Sequence, residues 1–172
     1  FFLVVVMPRL TPTFKVNLDQ AVVPGLACVG LFDGIHPTLV VNTSGGKLLM
    51  YSPHETKEKS IKYLSINKPV TALATGILDR ERKRDVLLIG TPANLQVYDV
   101  EENSDLFFAD ISDGVSSLAV GTIPTIAPPL VLVGGNCNIQ GFDADGIEQY
   151  WGVAGGVVTS LCFHDIDNDA LP

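Results

Sequence analysis

Basic residues are missing from half of this chain. All 11 Lys and Arg lie at or before Arg84, and residues 85–172 contain none. That second half carries 13 Asp and Glu, whereas residues 1–84 carry 6. The halves therefore hold formal charges of +5 and −13 within a net charge of −8. Such an asymmetry bears on partners rather than on fold. A solvated acidic surface would give it, and so would a face that receives a basic protein surface. Nucleic acid is disfavoured as a partner. The basic residues form one short run, Arg80-Glu81-Arg82-Lys83-Arg84, which Glu81 interrupts and Asp85 follows.

Cysteine is scarce as well. Cys28, Cys137 and Cys162 are far apart and odd in number, and no Cys-x-x-Cys occurs. Neither a thiolate zinc site nor a disulfide framework is suggested, and a reducing compartment is the expectation. Long apolar runs are also lacking. Residues 1–6 and Met7 make an apolar start of only seven residues. A spanning helix needs ~20, and a signal peptide needs a basic segment first. An edge strand, or an extension upstream of Met7, remains for this segment.

Helical periodicity is nearly absent. Apolar residues nonetheless make up 47% of the chain and charged ones only 17%, so the composition is that of a folded domain. Short apolar runs are broken by Gly, Pro, Asn and Asp every 8–12 residues, which is an all-β signal. The runs also recur. LACVGLFDG (26–34), VTALATGILD (70–79), VSSLAVGTIP (115–124) and VTSLCFHDID (158–167) align so that Asp33, Asp79, Pro124 and Asp167 stack, at intervals of 46, 45 and 43 residues. A period near 40–45 with four strands per unit marks a β-propeller.

The fold class expected is therefore an all-β partial propeller, with about three four-stranded antiparallel blades and the start of a fourth. The units run over 26–64, 70–110, 115–151 and, incompletely, 158–172. In the second unit strands are expected at 70–78, 85–90, 95–99 and 106–110. In the third they are expected at 115–122, 130–134, 139–142 and 147–151. A spare strand at 13–18 would close the ring by completing its last blade. A ring needs ~4–8 blades, so the chain reads as the N-terminal portion of a longer propeller.

Candidate chemistry is thin. Asp165, Asp167 and Asp169 place three carboxylates at i, i+2 and i+4, which can converge on Ca²⁺. Ala170 stands where a calcium loop of that kind uses Gly, and an acidic turn explains the spacing as well. Asp143-Ala144-Asp145-Gly146 lies between two strands and reads as a hairpin turn. Gly134-Gly135 lacks the Gly-Lys-Ser/Thr of a phosphate loop and reads as a bulge or a close backbone approach. His36, His54 and His164 are assigned to turns or strand ends of different units. Cys28 and Cys162 read as small core residues, and Trp151 as a residue packed between blades. No catalytic residues and no cofactor are assigned, apart from Ca²⁺ at Asp165, Asp167 and Asp169.

Several segments together resemble one family. They are Leu64-Ser65-Ile66-Asn67; Leu88-Ile89-Gly90-Thr91 with Asn94-Leu95 and Tyr98-Asp99-Val100; Asn103-Ser104-Asp105-Leu106-Phe107; Asp113-Gly114; and GGNCNIQGF (134–142) with Trp151. Gly30-Leu31-Phe32-Asp33-Gly34-Ile35-His36-Pro37 looks like the same family's first-blade turn. In this combination and order they are similar to the Bardet–Biedl syndrome 2 protein family, subunits of the BBSome, a coat that traffics membrane proteins to and from cilia. The family tends to Asp-Gly-Asp-Gly where this chain has Asp167-Asn168-Asp169-Ala170. The resemblance implies an amino-terminal propeller that acts as a non-enzymatic scaffold. It also implies other BBSome subunits as partners, especially the Bardet–Biedl syndrome 7 protein. Membrane association would come only through the complex, and the location would be cytoplasm, cilium or flagellum, and basal body. Two readings compete with it: a calcium-binding integrin-type propeller in adhesion, and a fragment of a propeller hydrolase.

Overall fold

The computed structural model of the chain describes residues 17–56, 59–123, 125–126 and 128–164. Most of the expected strand at 13–18 lies outside these residues, as do 1–6 and Asp165, Asp167 and Asp169. Among the described residues there are twelve strands and no helix. They form three antiparallel meanders. The first holds β1 (Val22–Gly30), β2 (Thr38–Thr43), β3 (Lys47–Tyr51) and β4 (Ile61–Ser65); the second holds β5 (Ala72–Gly76), β6 (Val86–Gly90), β7 (Asn94–Asp99) and β8 (Ser104–Asp110). The third holds β9 (Ser117–Gly121), β10 (Leu130–Gly134), β11 (Asn138–Phe142) and β12 (Glu148–Val153). In each sheet the strands lie side by side in chain order. This is the expected partial propeller of three four-stranded blades.

The apolar pattern explains how the blades stack. Successive side chains of a strand point to opposite faces, so a strand buried on both faces reads as a continuous apolar run. β6, with sequence VLLIG, is buried at every position. Its Val86 and Leu88 join Val131, Val133 and Phe142 of the third blade, while Leu87 and Ile89 join Phe32, Val40, Leu48 and Met50 of the first. The second blade therefore supplies both inter-blade cores. At ~25 cal/mol per Å² of apolar surface removed from water, these two seams are the main source of stability. The outermost strands β4, β8 and β12 are mostly exposed.

The innermost strands meet next to one another. β5 contacts both β1 and β9. Thr75 Oγ1 donates to Val29 O at 2.8 Å, and Thr71 Oγ1 donates to Val115 O. A glycine at the end of each inner strand makes this approach possible. A Cβ on Gly30 would lie 3.1 Å from Thr75 Cβ, one on Gly76 would lie 2.6 Å from Val120 Cβ, and one on Gly121 would collide with the Phe163 ring. Thus Thr75 and Val120, each just before its own unit's glycine, pack on the glycine of the unit before, and Phe163 takes the same place on Gly121. Residues 158–164 extend the series past β9 without forming a strand. Val158 N–H donates to Gly135 O, and Ser116 and Ser117 Oγ donate to Val158 O.

Three expectations are corrected. β1 begins at Val22, because Pro24-Gly25 sits in a bulge: pairing jumps between Val22 and Ala27, and Gly25 takes φ 80°. Trp151 is not packed between blades. It lies on the outermost strand β12, opposite Gln140, and is 59% exposed. Cys162 is exposed rather than part of the core, and Cys137 is exposed too. Cys28 does pack against the first seam, and burial, then the Asp85 charge, push its thiol up to about 12.

The glycine contact is testable. Ala normally stabilises a strand relative to Gly, yet Gly76→Ala should lower stability by about 1–3 kcal/mol through overpacking. Gly155→Ala, with nothing within 4 Å of its new Cβ, should stay within about 0.5 kcal/mol of the parent. Urea midpoints of the two variants check this. Equal midpoints would remove the argument.

Candidate functional site

Antiparallel meanders send alternate connections to opposite ends of a blade. The β1–β2, β3–β4, β5–β6, β7–β8, β9–β10 and β11–β12 loops share one end. Direct bonds join these loops from blade to blade. Leu31 N–H donates to Asp85 Oδ2 at 2.7 Å, Asp85 N–H donates to Leu31 O, and Arg80 donates to Thr122 Oγ1 at 3.0 Å. The charged groups of the molecule concentrate here in three turns.

In the second blade Asp99 ends β7 with its side chain 1% exposed. Its Oδ1 accepts the Glu101 and Glu102 amides at 3.1 Å, and its Oδ2 accepts Arg82 at 2.9 Å and Arg84 at 2.7 Å. Arg82 also reaches Asp79, and Arg84 reaches Glu102. Arg82 and Arg84 are thus folded onto their own blade. Burial pushes the Asp99 carboxyl up, but Arg84 and the two amides outweigh it and hold the group below the ordinary carboxylate range. The same hydrogen bond to Asp99 raises Arg84.

Asp143 occupies the matching place in the third blade, just past β11. Its Oδ1 accepts the amides of Asp145 and Ile147, and its Oδ2 accepts Gln149 Nε2 at 2.7 Å. Gly146 takes φ 77°, and Gly146 N–H donates back to Asp143 O. Asp143-Ala144-Asp145-Gly146 is a turn whose carboxylate is spent on the turn itself. At the opposite end, Cys137 N–H donates to Asp113 Oδ2 at 2.6 Å, and Gly134 and Gly135 permit close approach of Val158 and Asp113.

The first blade brings together residues that were assigned to different units. Asp33 Oδ1 accepts the amides of Ile35 at 2.8 Å and His36 at 2.7 Å. Its Oδ2 lies 2.7 Å from His36 Nδ1 and 3.7 Å from His54 Nε2. The two rings stack, 4.2 Å between centroids and 16° between planes. Burial raises the Asp33 carboxyl, but the His36 and Ile35 amides and the His36 ring hold it well below the usual range. His36 and His54 belong to one blade. The signal that finds them is topological: one sits in the β1–β2 loop and the other in the β3–β4 loop, which share an end. His164 is exposed and lies apart from them in the chain, past β12.

The model of the N-terminal region of ciliary BBSome complex subunit 2 matches residues 28–121. The chain belongs to the BBSome subunit 2 family. It is 38% identical over 173 residues to BBSome complex member BBS2 of Mus musculus and of Homo sapiens, and each alignment covers 93% of this chain and 24% of the relative. It is 30% identical to bbs-2 of Caenorhabditis elegans, covering 94% of this chain and 21% of that one. The chain therefore spans about a quarter of the length of these relatives. Among solved structures it is similar to BBS1N, crystallised in complex with ARL6DN and soaked with mercury. That likeness has a TM-score of 0.61 at 13% identity and covers 83% of this chain and 44% of that one. It supports the propeller fold and nothing finer.

For this BBSome subunit 2 segment, the Asp99 cluster predicts a pH dependence. A carboxyl depressed on folding stabilises above its unfolded pKa of ~3.9 and loses that contribution as pH falls through the lower folded value. Asp99→Asn should cost about 1–3 kcal/mol at pH 7, a range that allows for screening of the half-exposed Arg82. The gap between parent and variant should close as pH drops below that of the unfolded group. Urea unfolding at neutral and acid pH measures both.

Proposed function

We propose that this segment is part of the propeller of a BBSome subunit and works as a non-enzymatic scaffold in the traffic of membrane proteins to and from cilia. The observation that carries the reading is the family match across residues 28–121, which spans the seam between the first two blades and reaches into the third. The geometry agrees with it. Both faces of the second blade are committed to its neighbours, and the turn carboxylates Asp99 and Asp143 are committed to amides and arginines. What remains for partners is the looped ends and the outer strands.

The partners of this reading are other BBSome subunits, the Bardet–Biedl syndrome 7 protein in particular, and a basic protein surface that meets the acidic half. The protein would reside in cytoplasm, basal body and cilium or flagellum, and would meet membrane only through the complex. Exposed acids support the basic partner. Glu101, Glu102, Asp105, Asp145 and Glu148 are exposed, and the third blade holds no Lys or Arg.

Affinity purification of the full-length protein from ciliated cells should recover other BBSome subunits, and their absence would refute the scaffold reading. Binding of a purified partner should weaken as ionic strength rises from about 0.05 to 0.5 M, because surface charge pairs are screened beyond ~10 Å at 0.1 M salt. An affinity indifferent to salt would leave the acidic surface as solvation only.

A further inference from the structure

The Asp33–His36–His54 cluster has more donor groups than its turn requires. Locking the β1–β2 turn takes only Asp33 Oδ1 and the two amides. We propose that Asp33, His36 and His54 form a binding site for a divalent transition-metal ion of the zinc class, joining the β1–β2 and β3–β4 loops of the first blade.

One ligand atom from each residue lies within 4.8 Å of the other two. Two imidazoles and a carboxylate suit zinc and its first-row neighbours, whereas Ca²⁺ and Mg²⁺ take oxygen ligands. Tetrahedral zinc with bonds of about 2.1 Å keeps its ligand atoms about 3.4 Å apart. His54 Nε2 stands at 3.7 Å from Asp33 Oδ2, close to that spacing. His36 Nδ1, at 2.7 Å, must move out by less than ~1 Å, a small rotation for a ring that is 47% exposed. The ion then replaces the His36–Asp33 hydrogen bond. Ligation through Nδ1 displaces the proton that Nδ1 donates to Asp33 Oδ2, and in a neutral ring that proton passes to Nε2, so none is released.

Much of the site is pre-ordered. The Ile35 and His36 amides orient the Asp33 carboxylate through Oδ1 and leave Oδ2 to the ion. Those same bonds favour the ionised form, which ligation requires. The stacked rings bring the second loop against the first, and they must turn out of their near-parallel planes for both nitrogens to aim at one ion. All three side chains are open to solvent, which gives the ion a way in and leaves its fourth position to water. That is the open type of zinc site rather than the closed structural type.

The test uses the full-length protein, titrated with Zn²⁺ by calorimetry and with Co²⁺ by visible absorption. At least one ion should bind per chain, and Co²⁺ at this site should show the intense bands of a four- or five-coordinate centre. His36→Ala and His54→Ala should each weaken binding by at least the ~10- to 100-fold lost when a group supporting a ligand is removed. Replacing Cys137 and Cys162 by Ser should leave it unchanged. Independently of how the variants fold, Zn²⁺ should protect His36 and His54 of the parent protein from diethyl pyrocarbonate. No Zn²⁺ heat, no protection, unaltered affinity in His54→Ala, or loss of binding in the serine variant would each overturn the proposal.

Discussion

The step from one inner strand to the next sets the rest of the structure. Thr75 seats on Gly30, Val120 on Gly76 and Phe163 on Gly121. With no Cβ at the receiving position, strands of adjacent blades come closer than two side chains would allow, and hydrogen bonds such as Thr75 to Val29 O fix their offset. The angle and height of each blade follow from that contact. Farther from the axis the blades diverge, and larger side chains fill the widening gap: Leu87 and Ile89 on one side of β6, Val86 and Leu88 on the other. The glycines and the double-sided apolar strands are two aspects of a single packing constraint.

A sheet that uses both faces for packing has only its ends and its outer strand for anything else. Charge is accordingly found in the turns. Asp33, Asp99 and Asp143 each turn an oxygen toward the amides of their own loop, which satisfies donors that no strand partner reaches. Asp99 goes further and gathers Arg82 and Arg84 within its own blade, while Arg80 of the same run reaches across to Thr122 of the third. The formal −13 of the second half thus overstates the charge a partner would meet. Asp99, Asp113 and Asp143 are engaged internally, while Glu101, Glu102, Asp105, Asp145 and Glu148 face solvent.

The parts legible in the sequence were those that repeat. Four aligned segments with a spacing of 43–46 residues exposed the blade period, and apolar runs such as 86–90 and 130–134 marked the second strands, because burial on both faces leaves no polar alternation. Features that depend on radial position were not legible. Trp151 looks like core by composition but stands on the outermost strand, where no neighbouring blade covers it. Pro24-Gly25 looks like a strand breaker but forms a bulge within β1. His36 and His54 are 18 positions apart and meet only because the chain reverses three times between the start of β1 and the end of β4. Local spacing carries no trace of such a meeting, although strand alternation does.

The open face of the first blade separates packing from recognition. Val29, Pro37, Leu39, Tyr51 and Pro53 line an apolar hollow of about 180 Å³ there, and Val29 is 58% exposed. An apolar hollow of this size is an obvious place to seat a partner. Its position argues otherwise. Val29, Leu39 and Tyr51 are register partners across β1, β2 and β3, on the face turned away from the second blade, and a propeller ring closes by setting another blade against such a face. The relatives are about four times the length of this chain, which leaves ample sequence to supply that blade. Apolar surface on a blade face is therefore ring-building surface. On the proposed scaffold reading, specificity resides where the repeat is broken, in the unequal loops that carry Asp33, His36 and His54 in one blade and an arginine-bound Asp99 in the next.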